Sequence, residues 1–269
     1  MAVSTNSEFV DFVKPLGDRM KLYDPTRLPT DQPKNDAADP AKALPNGFID
    51  AMIVREEVYV REQNVPLENE LDEDDERSFH WVAYASVANK SVTTPRDEKM
   101  EDARRKSSTS TKIPVGTIRL VPPPHPLHPN GKHGTDVHDP KEAYAKLGRL
   151  AVVKEFRKAG ISSLLINTAL AFAKNHPYDL MPQRDATQAV KEEESGQNIG
   201  SDFRGLVLVH SQTGVQKVWR KYGFETDESM GHWDEEGIDH VGMWKRVDTT
   251  DGRKKSKAWL GPTPAKAVD

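Results

Sequence analysis

Hydrophobic and polar positions alternate along this chain with two periods, and each change of period marks an element. Over residues 78–87 (SFHWVAYASV) the period is two: His80, Val82 and Tyr84 share one face, and Phe79, Trp81, Ala83 and Ala85 the other. Residues 114–121 give a partner strand, with Ile118 and Leu120 alternating against Thr117 and Arg119. Residues 8–13 (EFVDFV) suggest a first strand with Phe9 and Val13 on the core. Leu147, Leu150, Ala151, Val152 and Val153 form an apolar run of strand length, and residues 203–210 (FRGLVLVH) read as a buried strand. Phe224 opens a further strand, Asp234-Glu235-Glu236-Gly237 is a turn, and residues 240–247 make a last strand. The helical period appears three times. Ile49, Ile53, Val54 and Val58 form an apolar stripe beside Glu57 and Arg61, capped by Asn46-Gly47 and ending near Gln63-Asn64, before Pro66. Ile161, Leu164, Leu165, Thr168, Ala169 and Phe172 form a second stripe, ended by His176-Pro177. A third helix starts at Ser211-Gln212-Thr213, runs to Tyr222 and stops at Gly223.

The predicted order is strand, helix, three strands, helix, strand, helix, two strands. That order fits an α/β (α+β) architecture, a mixed, mostly antiparallel twisted sheet flanked by helices. Three polar, aperiodic stretches interrupt it, at about residues 89–112, 122–144 and 178–201, and read as insertions. Residues 31–45, rich in Asp, Pro and Ala, read as a linker or surface loop. The chain is thus expected to form one domain over residues 1–247, followed by a polar tail over 248–269.

Composition supports a small core inside a long chain. Of 269 residues only 36% are hydrophobic and 30% are charged, with 19 prolines, so a core of about 150–180 residues with polar elaborations is expected. The net charge of −4 gives no global pull toward nucleic acid. The absence of cysteine excludes disulfides, thiolate metal sites and a cysteine nucleophile. No apolar run approaches membrane-spanning length and no apolar signal core opens the chain, so a cytoplasmic protein without membrane partners is expected.

The stretch with most chemistry is residues 146–176. A strand ends, a basic turn containing Arg157, Lys158 and Gly160 follows, and a helix begins. Such a turn aims free backbone N–H groups and the positive helix end at one spot, which suits phosphate. Residues 68–76 carry seven carboxylates and read either as a solvated loop or as a rim attracting a cationic amine. His125, His128, His133 and His138 lie in the second insertion, but their spacing matches no compact ligand pattern, so no metal site is assigned.

Three groups of residues carry a resemblance. Arg157-Lys158-Ala159-Gly160-Ile161-Ser162 resembles the Arg/Gln-x-x-Gly-x-Gly/Ala signature of the GNAT superfamily of acyl-CoA-dependent N-acetyltransferases, with Ser162 at its last position. Gln212, Lys221 and Gly223-Phe224 resemble a second motif of that family, although Trp219 stands where the family places tyrosine. Arg55, Val58, Glu62-Gln63, Pro66, His80, Arg119-Leu120, Gly148-Arg149-Leu150 and His240-x-Gly242-Met243 resemble a small bacterial-type branch of it. The resemblance implies the GNAT fold and transfer of an acetyl group from acetyl-CoA to a primary amine by direct attack in a ternary complex. It places Leu150, Ala151, Val152 and Val153 along the pantetheine, Arg157, Lys158, Gly160, Ile161, Ser162 and Ser163 on the pyrophosphate, and Gln212, Trp219 and Lys221 beside them. The base is then sought at Glu62 or His80, with Glu155 and His240 as competitors. Tyr222 is the phenol left to substitute for the missing tyrosine, unless it is a packing residue. Arg119, Arg149, Trp233 and Asp234 border the acceptor, the arginines either anchoring an anionic group or pairing with Glu62. The implied acceptor is a small molecule: an amino sugar such as glucosamine, a polyamine, or an amino-acid-like amine. A protein or peptide acceptor, and a CoA-binding module without turnover, stay open, as does monomer against homodimer.

Overall fold

A computed structural model describes residues 9–32, 43–88, 110–125, 142–181 and 203–249. Strand β1 (Val10–Val13) is followed by helix α1 (Asn46–Arg55), which continues as a wider π-helical segment over Glu56–Glu62. Strands β2 (Phe79–Ala88), β3 (Ser110–Val121) and β4 (Tyr144–Val152) come next, then helix α2 (Ile161–Asn175). Strand β5 (Leu206–Gln212), the short helix α3 (Gln216–Arg220) and strands β6 (Glu225–Thr226), β7 (His232–Glu235) and β8 (Ile238–Arg246) complete it.

The strands form one sheet in the order β1-β2-β3-β4-β5-β8-β6, with β7 paired to β8. Only β4 and β5 are parallel. The expected α/β class and mixed, mostly antiparallel sheet are found, with one strand more than expected. Glu236 and Gly237 both take positive φ (55° and 77°), and this tight turn folds β7 back onto β8 as a hairpin.

The elements differ from expectation in three places. In β1, Val13 is buried on the α1 face and Val10 on the opposite face, while Phe9 is exposed. β5 begins later and keeps Ser211 and Gln212, which pair with Val241 and His240. Helix α3 is correspondingly shorter. Residues 89–109, 126–141 and 182–202 of the three insertions, with His128, His133 and His138, lie outside the described residues, as do 1–8, 33–42 and 250–269.

Both sheet faces are covered. On one, Phe79, Trp81, Ile118, Leu120, Leu147, Val207 and Val209 pack against Leu165, Ile166, Ala169 and Phe172 of α2. Gly116 lets α2 come close, since a Cβ there would sit 2.7 Å from Ile161 Cγ2. On the other face, α1 packs Phe48 and Met52 against Val13, Leu16 and Tyr23, and Ala51 against Val82 and Tyr84.

The acidic segment after α1 is more than a solvated loop, because arginines take up Glu70, Asp72, Asp74 and Asp75. Arg55 is fully buried, its Nε 2.5 Å from Glu70 Oε1 and its Nη1 2.6 Å from Asp75 Oδ1. Arg119 reaches Asp75 at 2.9 Å and Asp72 at 2.6 Å, and Arg149 reaches Asp72 at 3.0 Å. This network ties α1, the acidic loop, β3 and β4 together. Burial opposes the charge on Asp75, but Arg55 and Arg119 hold its carboxyl well below the usual range.

Asp75→Asn is expected to cost about 3–5 kcal/mol, because it leaves two buried guanidinium groups short of a partner. Urea unfolding at neutral pH checks this. With its folded pKa depressed, Asp75 contributes fully above the unfolded value of about 3.9, and that stability drains away as pH falls below it. The difference between wild type and Asp75→Asn should therefore shrink in unfolding curves taken from about pH 5 down to pH 3.

Candidate active site

The sheet opens where its single parallel pair ends. β4 and β5 are in register only from Tyr144 with Leu206 to Leu147 with Val209. Beyond Leu147 they part, and β4 also changes register against β3 between Thr117 and Arg119. Arg149 takes φ 50° there. A non-glycine residue in that region is strained by about 1–3 kcal/mol. The ion pairs of Arg149 with Asp72 and Glu70 hold it in place. The bulge leaves Leu150, Ala151 and Val152 with no β5 neighbour, so the edge of β4 borders open space.

That space is a cavity of about 630 Å³ running through the wedge. At one end stands the start of α2. Gly160 sits in the left-handed region (φ 82°), and no side chain caps the helix. The first intrahelical bond is from Leu164 N–H to Gly160 O, so the N–H groups of Ile161, Ser162 and Ser163 have no carbonyl within the helix. Lys158, with φ 67°, completes a turn suited to a pyrophosphate. In the middle, Val58 and Tyr59 face Leu150, Ala151 and Val152, with Val218 and Trp219 nearby. The Tyr59 hydroxyl donates to Leu150 O at 3.0 Å, and burial pushes its pKa up. The far end is polar and lies between the acidic loop and β7, lined by Asp72, Asp74, Arg119, Lys146, His210, Glu235 and His240.

The cavity gathers many of the residues named from the sequence. Leu150, Ala151, Val152, Arg157, Lys158, Ile161, Ser162, Gln212 and Trp219 line it, as do Glu62, Arg119 and Arg149. Val153, Gly160, Ser163 and Lys221 flank it without lining it. Arg157 and Glu62 form a bidentate pair (2.7 and 2.5 Å) across the mouth, and these hydrogen bonds hold the Glu62 carboxyl below its usual range. Arg119 and Arg149 do not pair with Glu62, because the acidic loop takes both.

Four residues sit elsewhere. His80 is fully buried behind Phe48, 5.3 Å between rings, away from the cavity, and burial pushes its pKa down to about 3. A neutral imidazole walled off from the cleft has no proton route to it. The Tyr222 hydroxyl donates to Ser163 Oγ at 2.6 Å and does not line the cavity. Trp233 lies one layer behind, packed on His210, and Asp234 accepts from Gly237 N–H in the hairpin turn.

The wall at that end is instead a cluster the sequence reading did not assemble. Glu235 Oε1 accepts from His210 Nδ1 (3.0 Å) and Trp233 Nε1 (2.7 Å). Burial works against the charge on Glu235, but these donors hold its carboxyl far below the usual range. His240 Nδ1 faces Ile238 O at 2.8 Å, and only a donor satisfies a carbonyl, so Nδ1 carries the hydrogen. Its Nε2, the nitrogen left for proton exchange, lies 4.0 Å from Glu235 Oε2. Alternation along β7 and β8 could have placed Glu235 and His240 inward, but the hairpin pairing that joins them was needed first.

A model described as the Acetyltransferase (GNAT) family matches residues 53–191. The uncharacterized N-acetyltransferase YjcF of Bacillus subtilis (strain 168) is 26% identical over 160 residues, covering 52% of this chain and 84% of YjcF. Among solved structures, Escherichia coli ElaA aligns with TM-score 0.40 and 15% identity, covering 77% of this chain and 94% of ElaA. An acyl-CoA N-acyltransferase from Pseudomonas aeruginosa aligns with TM-score 0.39 and 18% identity, over 76% and 93%.

If Glu62 mainly restrains Arg157, Glu62→Gln should lower KM for acetyl-CoA by about two- to fivefold, the size of an exposed ion pair, and leave kcat within about threefold. Steady-state kinetics check this, since loss of a base at Glu62 would cut kcat by about a hundredfold or more.

Proposed function

Because the chain belongs to the GNAT family of acetyltransferases, we propose that it moves the acetyl group of acetyl-CoA onto the primary amine of a small polar molecule at the His240 end of the cavity. The observation that carries this reading is the continuity of one cavity from the uncapped N-terminus of α2, past the free edge of β4, to the imidazole of His240 that lines its polar end.

The residues fit the donor. The free N–H groups at Ile161, Ser162 and Ser163, with Lys158, suit its pyrophosphate, and the apolar waist at Val58, Leu150 and Trp219 suits a pantetheine arm. When bound, acetyl-CoA supplies an acyl group already activated as a thioester. Unpaired backbone N–H groups along β4 are the donors available where negative charge develops on the acyl oxygen. His240 takes the proton of the acceptor ammonium at Nε2, and Glu235 Oε2 stabilises the imidazolium that results. Its position replaces Glu62, held by Arg157, and His80, outside the cleft. For the departing sulfur the indole of Trp219 is no acid, and the Tyr222 hydroxyl is turned to Ser163. An alkyl thiol such as that of cysteine has a pKa of about 8.5, so the departing sulfur would need no acid from this chain.

The acceptor end favours a compact amine over a polyamine. The carboxylates of Asp72 and Asp74 are matched by Arg119, Arg149 and Arg77, so no spare row of negative charge follows a long polycation. An amino sugar is small enough and its hydroxyls suit the polar wall.

Acetyl-CoA should stabilise the protein in a thermal-shift measurement where inorganic phosphate does not. Thiol release should then appear with glucosamine-sized amines and stay low with spermidine and lysine peptides. His240→Gln should lower kcat by about 10²–10⁴-fold while acetyl-CoA binding is kept. Stabilisation without release for any amine would instead make the protein a CoA-binding module.

A further inference from the structure

The polar end of the cavity contains an unbalanced pair of charges. Asp72, Arg119 and Arg149 engage one another, and Asp74 is held by Arg77 at 2.6 Å. Two charged groups of that wall are not matched in this way. Glu235 meets only the His210 ring at 3.0 Å, the Trp233 indole at 2.7 Å and His240 Nε2 at 4.0 Å, and among the described residues no Lys or Arg pairs with it. Lys146, on β4 between its partners Val121 and Leu208, projects into the cavity. Among the described residues its ammonium makes neither a hydrogen bond nor an ion pair. Burial pushes its pKa down, while Glu235 and Asp74 oppose that from a distance. A partly buried ammonium without a counter-charge is costly, and its cost is removed when a ligand brings the anion.

We propose, resting on the acetyltransferase reading above, that the acceptor is a compact primary amine that also carries a carboxylate, its ammonium at Glu235 and His240 and its carboxylate at Lys146. Such a zwitterion neutralises both ends of the chamber at once. A lone amine satisfies Glu235 and leaves Lys146 bare. A phosphorylated amine brings a second negative charge with no free guanidinium to meet it, because Arg119 and Arg149 are both engaged. Lys146 is then a specificity-determining residue, and the ammonium gives up its proton at His240 Nε2 before its nitrogen attacks the acyl carbon.

The test uses matched ligands that differ in one group. Alanine is set against alaninamide, and glucosaminic acid against glucosamine, with glucosamine 6-phosphate as a further arm. Binding to the full chain saturated with CoA is measured by calorimetry, and turnover with acetyl-CoA by thiol release. In the wild type the carboxylate member of each pair should bind and react at least about tenfold better. In Lys146→Met the preference should fall to within about twofold, and in Lys146→Arg it should largely persist. Acetyl-CoA stabilisation in the thermal-shift assay reports folding of each variant. Equal or better use of the uncharged or phosphorylated member, or an unchanged preference in Lys146→Met, overturns the proposal while leaving acetyl transfer standing. Carboxylate-selective binding that depends on Lys146 without turnover of any amine sustains this site and sinks the transferase reading alone.

Discussion

The cleft depends on the buried guanidinium of Arg55. It leaves α1 near its end and is gripped by Glu70 and Asp75, two carboxylates of a loop that has almost no apolar residues of its own. Without that grip the loop would have little reason to fold back on the sheet. With it, Asp75 also faces Arg119 of β3, and Asp72 faces both Arg119 and Arg149. One chain of charges therefore fixes three elements whose relative position shapes the cavity. It also holds Arg149 at φ 50°, and that residue turns the edge of β4 away from its ladder. Each ion in such a chain is expensive to bury and is tolerated because its neighbours compensate it, so the network behaves as a unit.

The wider π-helical segment begins directly after Arg55. Arg55 and Glu56 are both buried, Arg55 toward the acidic loop and Glu56 toward Arg61 at 2.8 Å. Val54 and Val58 pack against Ala151 along the same stretch. Within the π-helical segment Glu56 pairs with Arg61, five residues on, and the Tyr59 hydroxyl reaches Leu150 O.

What the sequence disclosed follows from how local each feature is. The strand–turn–helix from β4 to α2 was legible because its chemistry lies in consecutive backbone groups, and Gly160 marks the turn with a residue that accepts positive φ. The β2–β3 pair was legible through its alternation. The acidic loop was not, since a run of carboxylates looks solvated until the arginines that face it, up to 79 positions away, are brought near. Likewise Glu235, His210 and His240 come from three strands, and only the order β5-β8 with β7 on β8 makes them one wall. His80 shows the converse. Its place in a strand near the cleft suggested chemistry, but its face of β2 points to Phe48 and the α1 core.

This division has a chemical consequence. In the proposed reading the donor end offers backbone N–H groups, Arg157, Lys158 and apolar side chains to the part of acetyl-CoA that is the same in every turnover. At the acceptor end most formal charges serve the architecture and are not available for binding: the network that shapes the wedge consumes Asp72, Asp75, Arg119 and Arg149. Selectivity among amines then falls to the few polar groups the scaffold leaves over. Lys146 and Glu235 lie on β4 and β7, on opposite sides of β5 and β8. Both stand on strands, so in the proposed reading it is the sheet that sets the distance between them.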